Sequence, residues 1–211
     1  MSAPTVLESL DLAALLCSRV CHDLISPVGA IVNGLEVLEE DNDEETKTFA
    51  LDLIKRSARN ASARLQFCRL AFGAAGSAGV QIDIGDAENM ARGFIEDDKT
   101  KLTWNLPRVL LAKNRVKLLL NMLIIAGQGI PRGGMLTVDP LGEGDAMSFR
   151  ITAVGPNGRV PPHAAELLAG TPAAPVDAHA IQPFYTGMLA RSCDLAVSVA
   201  AENEAIVVAA R

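Results

Sequence analysis

The side chains of this sequence best suited to chemistry lie together in SRVCHDLISPVG, residues 18–29. His22 is followed directly by Asp23, with Cys17, Cys21, Ser18, Arg19 and Ser26 close by in sequence. Three chemistries suit such a histidine: a ring packed in a core, a metal ligand beside the two thiols, or an exposed nucleophile. Helical spacing separates them. Cys17 and Cys21 fall on an apolar stripe, where a thiol acts as a small hydrophobe. His22 falls on another face, so the three do not converge on one ion. Its neighbours three, four and seven residues away include Leu15, Ser18, Arg19, Ile25, Ser26 and Gly29. Most are small or polar, which leaves open space around the ring. An imidazole ordinarily titrates at about 6.5, so the neutral, nucleophilic ring is abundant at neutral pH. Asp23 is placed to accept a hydrogen bond from Nδ1–H and leave Nε2 free to attack; the alternative is a solvated surface acid. Pro27 removes one backbone donor and predicts a kink.

Two long helices must carry this stretch. Leu7, Leu10, Ala14, Cys17, Cys21, Leu24, Val28, Ile31, Leu35 and Leu38 alternate steps of three and four, a heptad seam. Leu51, Ile54, Ala58, Ala61, Leu65, Cys68 and Phe72 repeat the pattern. The acidic turn EEDNDEE joins them, Asn42 and Glu45 resemble a capping box, and so short a connection makes the helices antiparallel. Val20, Ile25 and Val32 broaden the first stripe beyond what one hairpin covers. Either a second copy completes a four-helix bundle, or the stripe docks on the rest of the same chain.

GAAGSAG, from Gly73, reads as a small-residue linker. Beyond it, VQIDI, KLTWNL, GMLTVD, MSFRITAV and EAIVVAA read as strands, and stretches near 86–97, 108–127, 161–169 and 183–200 as helices. The predicted class is α+β: a helical hairpin over residues 1–73, a linker at 74–79 and an α/β domain over 80–211.

Composition narrows the function. A net charge of −6 across 211 residues disfavours nucleic acid as a partner. The longest apolar run, in residues 116–126, is interrupted by Lys117 and Asn121 and is too short to span a bilayer. No export signal precedes the first helix, and the four cysteines lack zinc spacing, so the expectation is a cytoplasmic protein with reduced thiols and no membrane contact. One local reversal stands out. The second helix carries Lys55, Arg56, Arg59, Arg64 and Arg69 with no acid from Leu53 onward. Counting back from the turn sets Ser62 level with His22, flanked by Arg59 and Arg64. These cations either attract an acidic partner or are the ordinary charges of a solvated face and helix C-terminus.

CHDLISPVGAI resembles the phospho-acceptor box of sensor histidine kinases, in which a His-Asp/Glu-Leu triplet precedes a proline. The hairpin then resembles their dimerisation and phosphotransfer domain, and the α/β part their ATP-binding domain. VKLLLNMLIIAGQGIPRGGMLTV resembles the kinase asparagine box: Asn121 is retained, but Ile125 stands where the second, magnesium-holding asparagine belongs. RITAVGPNGRVP resembles the first glycine box with Ala153 in place of the adenine-recognising aspartate, while Gly155 and Gly158 survive as turn glycines. After QPFYTG, where kinases carry a glycine-rich lid, the chain reads MLARSCDLAVSV. Three losses together remove the groups that bind magnesium, adenine and triphosphate.

A phospho-acceptor hairpin joined to a degenerate ATPase-like domain resembles the dimeric histidine phosphotransferases of the ChpT family. That resemblance implies a homodimer that takes a phosphoryl group onto His22 from the receiver domain of a hybrid kinase such as CckA. It would pass the group to response regulators such as CtrA and CpdR. No cofactor is implied for this chain; Mg²⁺ comes with the receiver. Asp23 would orient the ring, and Arg19 would neutralise phosphoryl oxygens or pair with a receiver acid. Leu15, Ser18, Ser26 and Gly29, with Arg59, Ser62 and Arg64, are the expected partner contacts. A divergent ATP-dependent kinase and a non-catalytic receiver-binding scaffold are the competing readings. His163 and His179 receive no role.

Overall fold

The computed structural model describes residues 5–40, 43–73, 81–144 and 147–211. Helix α1 (Ser9–Glu40) and helix α2 (Glu44–Ala71) form the antiparallel hairpin. Pro27 lies inside an α1 that continues past it, with its ring buried. Asn42 lies outside the described residues; the cap of α2 is Asp43, whose carboxylate accepts from the Thr46 N–H and hydroxyl, both at 2.9 Å.

The hairpin buries a different stripe from the predicted seam. Pro27 and Gly34 are the buried positions of α1, and Ala50, Ser57, Ala61 and Cys68 are among those of α2. Gly34 sits directly against Ile54 and the Ala50 carbonyl. Small residues let the two helices approach closely, which turns much of the heptad seam outward. Cys17 and Cys21, predicted as bundle core, are exposed in this chain. So are Leu10, Val28, Leu35, Leu51 and Leu65, together with Ile25 and Val32. By length and composition α1 is long and apolar enough to cross a bilayer, unlike the run in residues 116–126. Its packing on α2 and its Arg19–Asp23 ion pair mark it as one arm of a hairpin.

The remaining elements are β1 (Gln81–Asp83), α3 (Ile84–Ile95), β2 (Thr100–Trp104), β3 (Leu110–Ala112), α4 (Lys113–Gln128), β4 (Gly134–Leu141), β5 (Ser148–Val154), α5 (Ala164–Ala169), α6 (Ile181–Ser192), β6 (Val197–Glu202) and β7 (Ala205–Ala210). The main sheet runs β2-β4-β5-β7-β6, with β2 and β4 parallel and the other neighbours antiparallel; β1 and β3 form a separate antiparallel pair. Two predicted helices are corrected. The one at 108–127 begins with strand β3, which has a partner in β1. The one at 183–200 stops at Ser192, because Val197–Glu202 finds a ladder partner in β7 that no local pattern announces.

Helix α4 is buried continuously from Val116 to Ala126, and in that stretch only Lys117 and Asn121 interrupt the apolar side chains. It packs on β5 and β7 and carries α6 on another flank. Its core is continuous with the foot of the hairpin, since Phe67 and Ala71 of α2 join the same cluster and Phe67 stacks on Phe94 with ring centroids 4.0 Å apart. Helix α6 is locked against α5 at Gly187, where a Cβ would strike the Leu168 carbonyl. Gly187→Ala is therefore expected to cost about 2 kcal/mol through overpacking, a fall in Tm of about 4–8 °C. Gly29→Ala, whose added Cβ meets nothing within 4 Å, should leave the Tm unchanged or raise it. Thermal unfolding of the two variants checks the contrast.

Candidate functional site

The α1 stripe that meets α2 passes through Arg19 and Asp23, and His22 points away from it. The His22 side chain is 68% exposed, whereas Asp23 and Arg19 are 10% and 15% exposed. Arg19 Nε donates to Asp23 Oδ2 at 3.1 Å, one turn apart on the helix. The other carboxylate oxygen lies 3.6 Å from His22 Nδ1. That separation is too long for the predicted hydrogen bond, so Asp23 stands beside the ring without bonding to it. The far nitrogen, Nε2, is left for chemistry. Asp23 is thus a partly buried anion held by Arg19, with an exposed imidazole beside it.

On α2 the nearby groups are Cys68 and Arg64. Burial pushes the Cys68 thiol up to about 11, the Asp23 carboxylate adds to that rise, and Arg19 and Arg64 oppose it. Arg64 also donates from Nε to Asn60 Oδ1 at 2.7 Å and lies over the Phe94 ring, 5.4 Å from its centroid. Arg59 and Ser62 instead line a groove against α3 with Asn89, Met90 and Gly93. Of the three expected α2 contacts, only Arg64 is tied to the Asp23 neighbourhood.

The α1 contacts divide as well. Ser18 and Ser26 are exposed, and Gly29 has open space above it. Leu15, with Leu7, Leu12 and Leu16, packs against Leu167, Ile181 and Phe184 of the α/β domain. That docking brings in a residue that sequence reasoning passed over. The ring of His179, just before α6, stands edge-on to His22 with centroids 5.9 Å apart and planes at 78°. The two histidines are remote in sequence, and only the packing of α6 on α1 unites them.

The positions that resemble nucleotide ligands in the sequence lie in the packed interior. Asn121 is fully buried and donates from Nδ2 to the Ala71 carbonyl at 3.0 Å and the Lys117 carbonyl at 2.9 Å. Gln182 of α6 donates to the Asn121 carbonyl at 2.9 Å. Ile125 and Ala153 are core residues, and a Cβ on Gly155 would strike the Gly133 carbonyl. Lys117 reaches the Gly73 carbonyl at 2.8 Å, and burial lowers its ammonium below the usual lysine range. The cleft beside the end of α4, about 410 Å³, includes Gln128, His163, Glu166, Asp177 and His179 in its lining and no Lys or Arg. Two carboxylates and no fixed cation make poor walls for a polyphosphate. Among the described residues, no group of three His, Cys, Asp or Glu is arranged to hold a metal ion.

Sequence comparison matches residues 84–205 to the histidine phosphotransferase C-terminal domain. Protein phosphotransferase ChpT of Brucella abortus (strain 2308) is 56% identical over 211 residues, which is 100% of both chains. A bacterial phosphotransferase solved at 1.7 Å superposes with a TM-score of 0.89 at 53% identity, again over 100% of each chain. The histidine kinase AdeS of Acinetobacter baumannii superposes with a TM-score of 0.46 at 11% identity over 90% of this chain and 95% of that one. With a relative 56% identical from end to end, a family model matched over residues 84–205 and a shared fold at a TM-score of 0.89, the chain belongs to the ChpT family of histidine phosphotransferases.

Proposed function

We propose that this chain relays phosphoryl groups between receiver-domain aspartates through Nε2 of His22, and that it neither binds ATP nor phosphorylates itself. The observation that carries the reading is the contrast between an exposed His22 and a nucleotide region converted into core. The retained Asn121 spends its carboxamide on backbone carbonyls, and Ile125 and Ala153 lie among apolar neighbours.

The transfer balances without a base. Nε2 attacks the phosphorus of a receiver aspartyl phosphate, the N–P bond forms, and the P–O bond breaks with its electron pair on the departing carboxylate. Nδ1 keeps its proton, so the ring becomes cationic in the product. Asp23 lies beside that nitrogen and Arg19 holds it there. Mg²⁺ and the remaining charge neutralisation come from the receiver. The hybrid kinase would be of the CckA kind and the recipients of the CtrA and CpdR kind, acting in the cytoplasm. Ser18, Ser26 and the open surface at Gly29 admit the receiver's backbone.

A homodimer completes the proposal. Leu10, Ile25, Val28, Val32 and Leu35 of α1 and Leu51 and Leu65 of α2 form an apolar face larger than a lone hairpin leaves bare. A second copy covers it as a four-helix bundle, with His22 on the outer side.

Three outcomes are expected. A labelled phospho-receiver should transfer label to the wild-type chain and not to His22→Ala, while labelled ATP alone should label neither; equal labelling of His22→Ala, or labelling by ATP, would sink the relay reading. Gly29→Trp should cut transfer at least about tenfold by blocking the receiver's approach, with the assembly state unchanged by light scattering. Val28→Glu should yield a monomer and speed alkylation of Cys17 and Cys21, with Cys68 unreactive in both forms because its thiol is buried and pushed up to about 11. Mass spectrometry by site reads the difference, and a wild-type chain that scatters as a monomer would remove the dimer.

A further inference from the structure

We propose that His179 is a phosphoryl-binding residue: its ring, edge-on to His22, donates a hydrogen bond to the phosphoryl group once Nε2 carries it. The inference rests on the relay reading above and assigns the α/β domain a part in the chemistry.

Four observations converge on this residue. The contact with His22 is direct, at 5.9 Å between centroids. The backbone beneath His179 is fixed: Asp177 Oδ1 accepts from the His179 N–H at 2.9 Å and the Ala180 N–H at 2.8 Å, and the Asp177 carbonyl accepts from Ile181 at 2.9 Å. Those donated hydrogen bonds hold the Asp177 carboxyl below its usual range, so this anchor stays ionised at neutral pH. Finally, among the described residues the His179 ring makes no hydrogen bond of its own, so its ring nitrogens are open to a ligand while its backbone is held by Asp177.

An imidazole held in this way suits an anion better than it suits its neighbour. Both rings are exposed, so their contact excludes little water, and two imidazoles repel each other whenever both are charged. Asp23 guards the Nδ1 edge of His22, which directs the phosphoryl group to the opposite nitrogen. Across a ring separation of 5.9 Å, the proposal requires a rotation of the His179 side chain to bring an N–H to a phosphoryl oxygen. The bond is charge-assisted whichever protonation state His179 holds, because the acceptor is an anion. No proton is transferred to or from His179 in the step. It steadies the negative charge on the phosphoryl oxygens as the N–P bond forms or breaks.

The test uses the full chain in two arms. In the first, His22 is phosphorylated chemically with phosphoramidate, with the site verified by mass spectrometry, and the lifetime and ³¹P resonance of the phosphohistidine are measured. In the second, a phosphorylated receiver donates the group. His179→Phe keeps an aromatic ring against His22 and removes the donors; His179→Gln keeps a donor without the ring. His179→Phe should lower the transfer rate about tenfold and shift both the phosphohistidine lifetime and its resonance, whereas His179→Gln should keep most of the wild-type behaviour. Equal lifetimes, resonances and rates for His179→Phe and wild type would reduce the contact to packing, and a His179→Gln as impaired as His179→Phe would also overturn the proposal. Failure of the wild-type chain in the receiver arm alone points to the relay reading, since the phosphoramidate arm reads His179 without any receiver.

Discussion

The architecture turns on the polar junction between α2 and α4. A helix C-terminus leaves carbonyl groups without partners, and burying them unpaired is costly. Here the Asn121 amide meets the carbonyl of Ala71, and the Lys117 ammonium meets that of Gly73. The two donors are the only polar side chains in the buried stretch of α4 from Val116 to Ala126, so little else in that wall can satisfy the end of α2. The junction fixes the α/β domain to the foot of the hairpin. Through Gln182 it also fixes α6, which bonds to the same asparagine. Helix α6 then packs toward α1 and sets His179 beside His22. An asparagine at a position that resembles a nucleotide ligand has thereby become the joint between two parts of the molecule.

Around His22, charge is sorted by depth. The ion pair of Asp23 and Arg19 lies in the partly buried layer against α2, where solvent screens it less than at the surface. The reactive ring stands outside that layer. An inward acid and an outward base on adjacent residues follow from helical geometry alone, since neighbouring positions point about 100° apart around the axis. The acid cannot follow the ring into solvent, because Arg19 holds it from one turn away.

Much of this was legible in the sequence, and the gaps have physical causes. Period and breakers identified both long helices, most strands and the outward face of His22, because those signals are local. The heptad count found the apolar stripe but not which edge of it the hairpin would use; close approach at Gly34, Ala50 and Ala61 decided that, leaving Cys17 and Cys21 outside. Strand β6 escaped notice because LAVSV is ambiguous until its partner β7 is in place. Arg64 was placed near the site by counting residues, whereas Arg59 and Ser62 were turned toward α3 by packing that no periodicity encodes. His179 carried no sequence signal at all: its meaning depends on a contact between distant segments.

Gly187 has a consequence for timing. Just before the segment that stands where kinases carry a glycine-rich lid, α6 is seated so tightly on α5 that one methyl group would not fit between Gly187 and the Leu168 carbonyl. That contact seats α6 on α5 without spare space. A module without a gate has no internal clock; on the relay reading, the dwell time of each visiting partner sets how fast the signal passes, and the chain itself behaves as a fixed terminal rather than a timed valve.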